Sequence, residues 1–169
     1  AQAQAADLPL IEVEIPWPCT NETYEEAMLE ELKKQCEQGI QAIAFGDLFL
    51  EDVRKYREKL LDGTGLDPVF PVWGLDTSKL AQDMIASGLK THIVCVSSKQ
   101  LDPAFSGKLF DQSFLDELPE SVDPCGENGE FHTCVSAGPM FSKSIAVETG
   151  ETVDREGFIY TDLVLKTGL

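Results

Sequence analysis

Apolar and polar residues alternate near the start of this chain and then settle into helical stripes. Residues 10–15 (Leu-Ile-Glu-Val-Glu-Ile) alternate apolar with acidic side chains, which predicts a strand with one exposed face, closed by Pro16, Trp17 and Pro18. Thr20 or Asn21 can cap a helix running to about residue 38, with Glu22, Glu25 and Glu26 at its dipole-positive end. Tyr24, Ala27, Met28, Leu32 and Cys36 form its apolar stripe, and Gly39 stops it. Residues 40–45 are a short apolar run that fits a strand buried on both faces. Gly46-Asp47 follows directly. A second helix is predicted over 49–61, with Phe49, Val53, Tyr56 and Leu60 inward and Glu51, Asp52, Arg54, Lys55, Glu58 and Lys59 outward.

Gly63-Thr64-Gly65 breaks that pattern. Residues 68–72 predict another strand. Asp76 or Thr77 caps a third helix reaching Gly88, and 92–96 (His-Ile-Val-Cys-Val) is a further apolar strand. The resulting order, β-α-β-α-β-α-β, implies right-handed crossovers and a mainly parallel sheet covered by helices. Beyond Lys99 the rhythm changes. A loop over 101–110 and a short helix over 111–118 precede extended segments at 131–137, 145–153 and 158–165. Gly150 and Glu156-Gly157 supply turns between them, so this third of the chain reads as a meander added to, or continuing, the sheet.

The 169 residues suffice for a well-cored domain. Thirteen Lys and Arg against thirty Asp and Glu leave a net charge of −17. That balance disfavours nucleic acid and anionic membranes as partners, since both need a basic footprint. It leaves room for a local anion site built of backbone N–H groups. No apolar run approaches a membrane span, and the first residues carry neither a basic start nor an apolar core of a signal peptide. The five cysteines include no CxxC pair, so no zinc knuckle is expected and no residue is assigned to a metal. Cys36 and Cys95 read as small buried hydrophobes, and the usage fits a reducing cytoplasm. The chain opens Ala-Gln-Ala-Gln-Ala-Ala, which reads as the tail of a helix begun upstream, with a linker scar as the plain alternative.

The densest chemistry lies at 124–133 (Pro-Cys-Gly-Glu-Asn-Gly-Glu-Phe-His-Thr). Glu127-Asn128-Gly129-Glu130 suits a cation, an amine, or acid–base work, and equally a polar hairpin turn around Asn-Gly. Cys125 and His132 raise a thiol nucleophile with an imidazole base, hence a thiol hydrolase, although seven residues of separation fix no geometry. His132 reads otherwise as a binding group or strand-edge histidine, and His92 as structural. Gly46-Asp47, between a strand and a helix, reads either as a nucleotide contact or as a turn with Asp47 as N-cap. Arg54 and Arg57 are rare cations that suit an anion clamp, against a default Arg54–Glu58 pair. Trp17 and Trp73 read as ligand-stacking rings or as packing under loops, the latter preferred. GxxxxGK[ST], GxGxxG, HExxH and GxSxG are all absent.

Gly46-Asp47-Leu48-Phe49-Leu50-Glu51-Asp52-Val53-Arg54-Lys55-Tyr56-Arg57-Glu58, then Pro71-Val72-Trp73-Gly74, then the run from Asp123 through Thr133 resemble the diphthine–ammonia ligase family, which are N-type ATP pyrophosphatases of the adenine nucleotide α-hydrolase type. Gly157 to Leu163 resembles that family's last strand. The resemblance implies an α/β fold: a Rossmann-like parallel sheet of the PP-loop ATPase type, incomplete at its N-terminus, followed by a smaller α+β domain. It places residues 1–65 in the ATP-binding part and 66–169 in a family-specific, substrate-binding part. It implies ATP, with Mg2+, and splitting to AMP and pyrophosphate as a carboxylate is adenylated and then amidated by ammonia. Gly46 and Asp47 would contact the nucleotide. Glu127 and Glu130 would be catalytic. Asn128, Gly129, His132, Thr133, Arg54 and Cys125 would bind substrate.

Two departures stand out. The family's Ser-Gly-Gly-Lys-Asp-Ser phosphate loop is absent, so the chain by itself is expected to lack pyrophosphatase activity. His132 stands where the ligases proper tend to have glutamate, as in bacterial-type relatives, which leaves the acceptor carboxylate open. The partners expected are a nucleotide and ammonia, without nucleic acid or membrane, and a homodimer is the assembly to test. The competing reading is a non-catalytic module that binds a small amine or a peptide through residues 127–133.

Overall fold

The computed structural model describes residues 1–166 and divides into two compact units, Leu10–Leu75 and a second unit of Ala1–Pro9 with Asp76–Leu169. The expected boundary after residue 65 lies ten positions before this division. The fold is α/β, with one small parallel sheet and one separate antiparallel sheet.

In the Leu10–Leu75 unit, helix α2 (Asn21–Glu37) starts where Thr20 Oγ1 accepts the Thr23 N–H at 3.2 Å. Helix α1 (Gln2–Ala5) lies in the other unit. Strand β1 (Ala42–Ala44) leads to helix α3 (Glu51–Leu61) and strand β2 (Asp67–Val69). β1 and β2 pair in parallel, Ala42 against Asp67 and Ala44 against Val69. Leu32, Leu61 and Leu66 form the core beneath them, with Cys36, Ile43 and Phe45 packed alongside.

Three expectations fail in this unit. Residues 10–15 form no strand, and Leu10 (67%) and Ile11 (48%) stay exposed. An alternating segment becomes a strand only where a neighbouring ladder pairs its backbone. β1 is not buried on both faces either: Ala42 and Ala44 are exposed, because a two-stranded sheet cannot enclose it. Trp17 packs under no loop and is 95% exposed.

In the second unit, Asp76 Oδ1 accepts the Lys79 N–H at 2.8 Å and starts helix α4 (Thr77–Ala86). Strand β3 (Lys90–Ser97) follows, then a 3-10 turn (Pro103–Phe105), helix α5 (Gln112–Glu117) and strands β4 (Phe131–Ala137), β5 (Val147–Arg155) and β6 (Phe158–Leu165). The sheet order is β4-β3-β6-β5, and each neighbouring pair is antiparallel. β3 therefore does not extend a parallel sheet as its place in the sequence suggested, because β4 and β6 occupy both of its edges. Ile93, Val96, Phe131 and Ile159 point from this sheet into a core shared with Ala81 of α4 and Phe114 of α5. Phe114 sits at its centre, 5.6 Å from Phe105, 5.3 Å from Phe110 and 5.3 Å from Phe131 between ring centroids. Phe114→Ala is expected to destabilise this unit by about 3–5 kcal/mol, read by denaturant unfolding, because three rings lose their common partner.

Candidate functional site

The loop between α5 and β4 is organised by two carboxylates. Glu130 is only 2% exposed. Its Oε1 accepts the Asp123 N–H at 2.9 Å and Asn128 Nδ2 at 3.0 Å, and its Oε2 accepts the Asn128 N–H at 2.9 Å. Asp123 Oδ2 in turn accepts the Cys125 N–H at 3.0 Å and the Glu127 N–H at 3.1 Å. Ser97 of β3 donates its N–H to the Glu130 carbonyl at 2.9 Å and ties the loop to the sheet. A buried carboxylate is tolerable when N–H dipoles replace its water, and Glu130 has three such donors. Gly126 closes the loop with φ +71, and a Cβ there would stand 2.8 Å from the Phe131 carbonyl oxygen. Gly129 (φ +79) faces open space.

Cys125 and Thr133 line a small pit of about 70 Å³ with Met84, Leu89, Thr91, Phe110 and Val135. Cys125 Sγ donates to the Thr77 carbonyl at 3.4 Å, so its hydrogen bond goes to α4. Burial first, then the nearby Asp123 and Glu127 charges, push its thiol up from 9.0 to about 12. A reactive thiol has a lowered pKa, and the shift here is in the opposite direction, which counts against the thiol-hydrolase reading. His132 is exposed on β4, opposite Cys95 in the register. His92 lies on β3, and burial lowers its pKa. A groove of about 350 Å³ runs beside the loop, lined by Gln82, Gln112, Asp116, Glu120, Val122 and Pro124 among others.

The Leu10–Leu75 unit holds the other expected site residues. Gly46 and Asp47 follow the carboxyl end of β1. Asp47 is not the N-cap of α3, a position taken by Leu50. Its Oδ2 faces Arg57 Nε at 3.8 Å, and both of these buried atoms lack a hydrogen-bond partner within the protein. Arg57 also lies over the Phe45 ring, 5.1 Å from its centroid. Arg54 makes the expected pair with Glu58 at 2.8 Å, and its guanidinium stacks 4.8 Å from both the Phe70 and Trp73 centroids. Trp73 is thus engaged by Arg54 and Phe70.

The structure therefore gathers Asp123, Asn128 and Glu130 into one network and Cys125 and Thr133 into one pit, with His132 on the strand surface. Sequence reasoning passed over Asp123, although an Asp two residues before a turn backbone N–H has Asx-turn character. Arg57, offered there as one half of an anion clamp, faces Asp47 instead of Arg54. Among the described residues no cluster of three or more His, Cys, Asp or Glu could hold a metal ion. None of the described helices is long and apolar enough to cross a membrane.

Residues 76–164 match the family model of the diphthamide synthase C-terminal domain, and the chain belongs to that family. Among curated proteins, it is 32% identical over 119 residues to the diphthine–ammonia ligase of Bos taurus, covering 68% of this chain and 45% of that protein. The Homo sapiens protein of the same name is 32% identical over 120 residues, with the same coverage. That of Schizosaccharomyces pombe is 29% identical over 119 residues, or 20% of its length. The chain thus spans less than half the length of these relatives.

Glu130→Ala is expected to cost roughly 3 kcal/mol or more in stability, since it strands three N–H donors of the loop, with Glu130→Gln intermediate. Amide exchange at Asp123 and Asn128 checks the loop directly. The Cys125 thiol is neutral in the fold at a pH where the unfolded thiol ionises. Its contribution is therefore full below about pH 9 and is lost as pH rises from there through about 12. An alkaline fall in melting temperature that Cys125→Ala reduces is the expected result.

Proposed function

We propose that this chain is part of an ATP-dependent, amide-forming ligase of the diphthine–ammonia ligase type. Membership of the family over the unit that carries the ordered 123–130 loop is the observation that carries this reading. ATP supplies the leaving group: a substrate carboxylate oxygen displaces pyrophosphate from the α-phosphorus, and ammonia then displaces AMP at the acyl carbon to give the amide. The Leu10–Leu75 unit would be the later part of a Rossmann-like nucleotide-binding domain, and residues beyond it would shape the acceptor site. Asp47 Oδ2, just after β1, and Arg57 Nε of α3 are buried atoms with no hydrogen-bond partner within the protein, and they suit a polar ligand such as a nucleotide hydroxyl or phosphate oxygen. Gly46 leaves the backbone accessible beside them. The described residues offer no cluster for Mg2+, so no step is assigned to it.

Glu127 is the residue we assign to acid–base work, taking the proton that the attacking nitrogen loses. Glu130 holds the loop in place, with its oxygens already committed to N–H donors. Asn128, Gly129, Thr133 and His132 would contact the acceptor, whose identity His132 leaves open. Arg54 is engaged within its own unit by Glu58 and by the Phe70 and Trp73 rings. The relatives' name specifies diphthine and ammonia, and an acceptor carboxylate of that general class is the proposal here.

The full-length protein, given ATP, ammonium and an acceptor carboxylate, is expected to release AMP and pyrophosphate. Glu127→Gln is expected to lower kcat by about 10²–10⁴-fold, the usual range for a general base, with the KM for ATP little changed. Release of ADP and phosphate instead would overturn the assignment. Absence of any nucleotide turnover, with retained binding of a small amine, would favour the non-catalytic module.

A further inference from the structure

The pit beside the motif loop has a chemistry of its own. Thr91 on β3 is 5% exposed, and its Oγ1 has no hydrogen-bond partner within the protein. Thr91 and its cross-strand partner Val135 both line the pit, with Met84 and Leu89 forming apolar wall. Cys125 forms another part of the wall, and Thr133, exposed on β4, lies toward the outside. The volume of about 70 Å³ admits a molecule of one or two heavy atoms. A buried hydroxyl left without a partner loses roughly 1–3 kcal/mol, so an occupant that hydrogen-bonds it is favoured.

No lining residue carries a formal charge while the thiol stays protonated, so the pit selects against ions. The titratable groups facing Cys125 are Asp123 and Glu127, both acidic. Ammonium would be drawn toward these carboxylates, whereas only the neutral molecule would be at home among Met84, Leu89 and Val135.

We propose that this pit binds one molecule of neutral ammonia and holds it beside the 123–130 loop. The ligand class is the small, uncharged hydrogen-bonding molecule, shared by ammonia and water, and the test separates the two. The inference rests on the ligase reading for its biological sense, although the binding itself can be measured in this chain alone.

The experiment is an NMR titration of the chain with labelled methyl groups at Met84, Leu89 and Val135. Ammonium chloride is added well above the ammonium pKa, and again near neutrality, with sodium chloride as the control. Saturable shifts of these methyls are expected only in the alkaline arm. Thr91→Val keeps the shape and deletes the hydroxyl. It is expected to fold at least as stably as the parent, because it removes an unpaired group, and to bind ammonia about five- to tenfold more weakly. Val135→Ile, which fills the pit, is expected to abolish the shifts.

Equal shifts with sodium chloride, no saturable shift at high pH, or undiminished binding in both variants would overturn the proposal. A long-lived water showing contacts to Thr91 that ammonia never displaces would make this a water site and also overturn it. Saturable ammonia binding together with ADP release by the full-length protein would leave the pit standing and remove the ligase reading. AMP and pyrophosphate release without ammonia binding would do the reverse.

Discussion

A carboxylate taken out of water must be met by donors, and in the second unit that demand shapes everything around Glu130. The residue is almost fully buried, and its two oxygens receive Asp123 N–H, Asn128 N–H and Asn128 Nδ2. Each donor fixes part of the loop. Asp123, once placed, accepts the next two N–H groups, from Cys125 and Glu127. Gly126 permits the tight approach to Phe131 that this arrangement requires. The loop over 123–130, which has no helix or strand, is thereby held by its own hydrogen bonds, as a binding or catalytic loop needs. Its end is anchored by Ser97 to the same β3 strand whose Ile93 and Val96 sit in the aromatic core.

This division of labour was partly legible in the sequence. Helices α2, α3 and α4 and strands β4 and β6 follow from apolar spacing and cap residues, and their observed limits fall within a few residues of expectation. Thr20 and Asp76 cap as their side chains suggest. Sheet membership was not legible. The β3 segment reads as another buried strand of a parallel set, but pairing is decided by what comes later in the chain, and β4 and β6 arrive from more than thirty residues away. Residues 10–15 show the same limit: alternation prepares a strand, and a partner makes one.

At the candidate site, the composition of 124–133 marked the right place but not the roles. Glu127 and Glu130 look alike in sequence. Burial separates them, since Glu130 points inward next to Phe131 whereas Glu127 is half-buried. Along β4 Phe131 is buried and His132 exposed, and His132 is not among the residues that line the pit with Cys125. The thiol's protonation state is invisible in sequence because it depends first on how deeply the fold buries Cys125, and then on the Asp123 and Glu127 charges near it.

Electrostatics in the Leu10–Leu75 unit follow from how few cations an acidic chain possesses. α3 carries several of them, and Lys55–Glu51 is an exposed helix pair of small energetic weight. Arg54 and Arg57 differ because aromatic faces receive their guanidinium groups, Arg54 against Phe70 and Trp73 and Arg57 against Phe45. Stacking orders a planar cation while leaving its in-plane N–H groups available for directional bonds. Arg54 directs its Nε to Glu58. Arg57 Nε meets Asp47 Oδ2 at 3.8 Å, an ion-pair distance too long for a hydrogen bond, and neither of these two buried atoms has a hydrogen-bond partner within the protein. Such a pair is costly unless a third group completes it. Its position, just beyond the carboxyl end of a parallel strand, is where open α/β sheets take their ligands. The strain of an incomplete ion pair and the geometry of the sheet edge thus converge on the same few atoms, which is a stronger reason to look there than either the Gly-Asp dipeptide or the arginine alone.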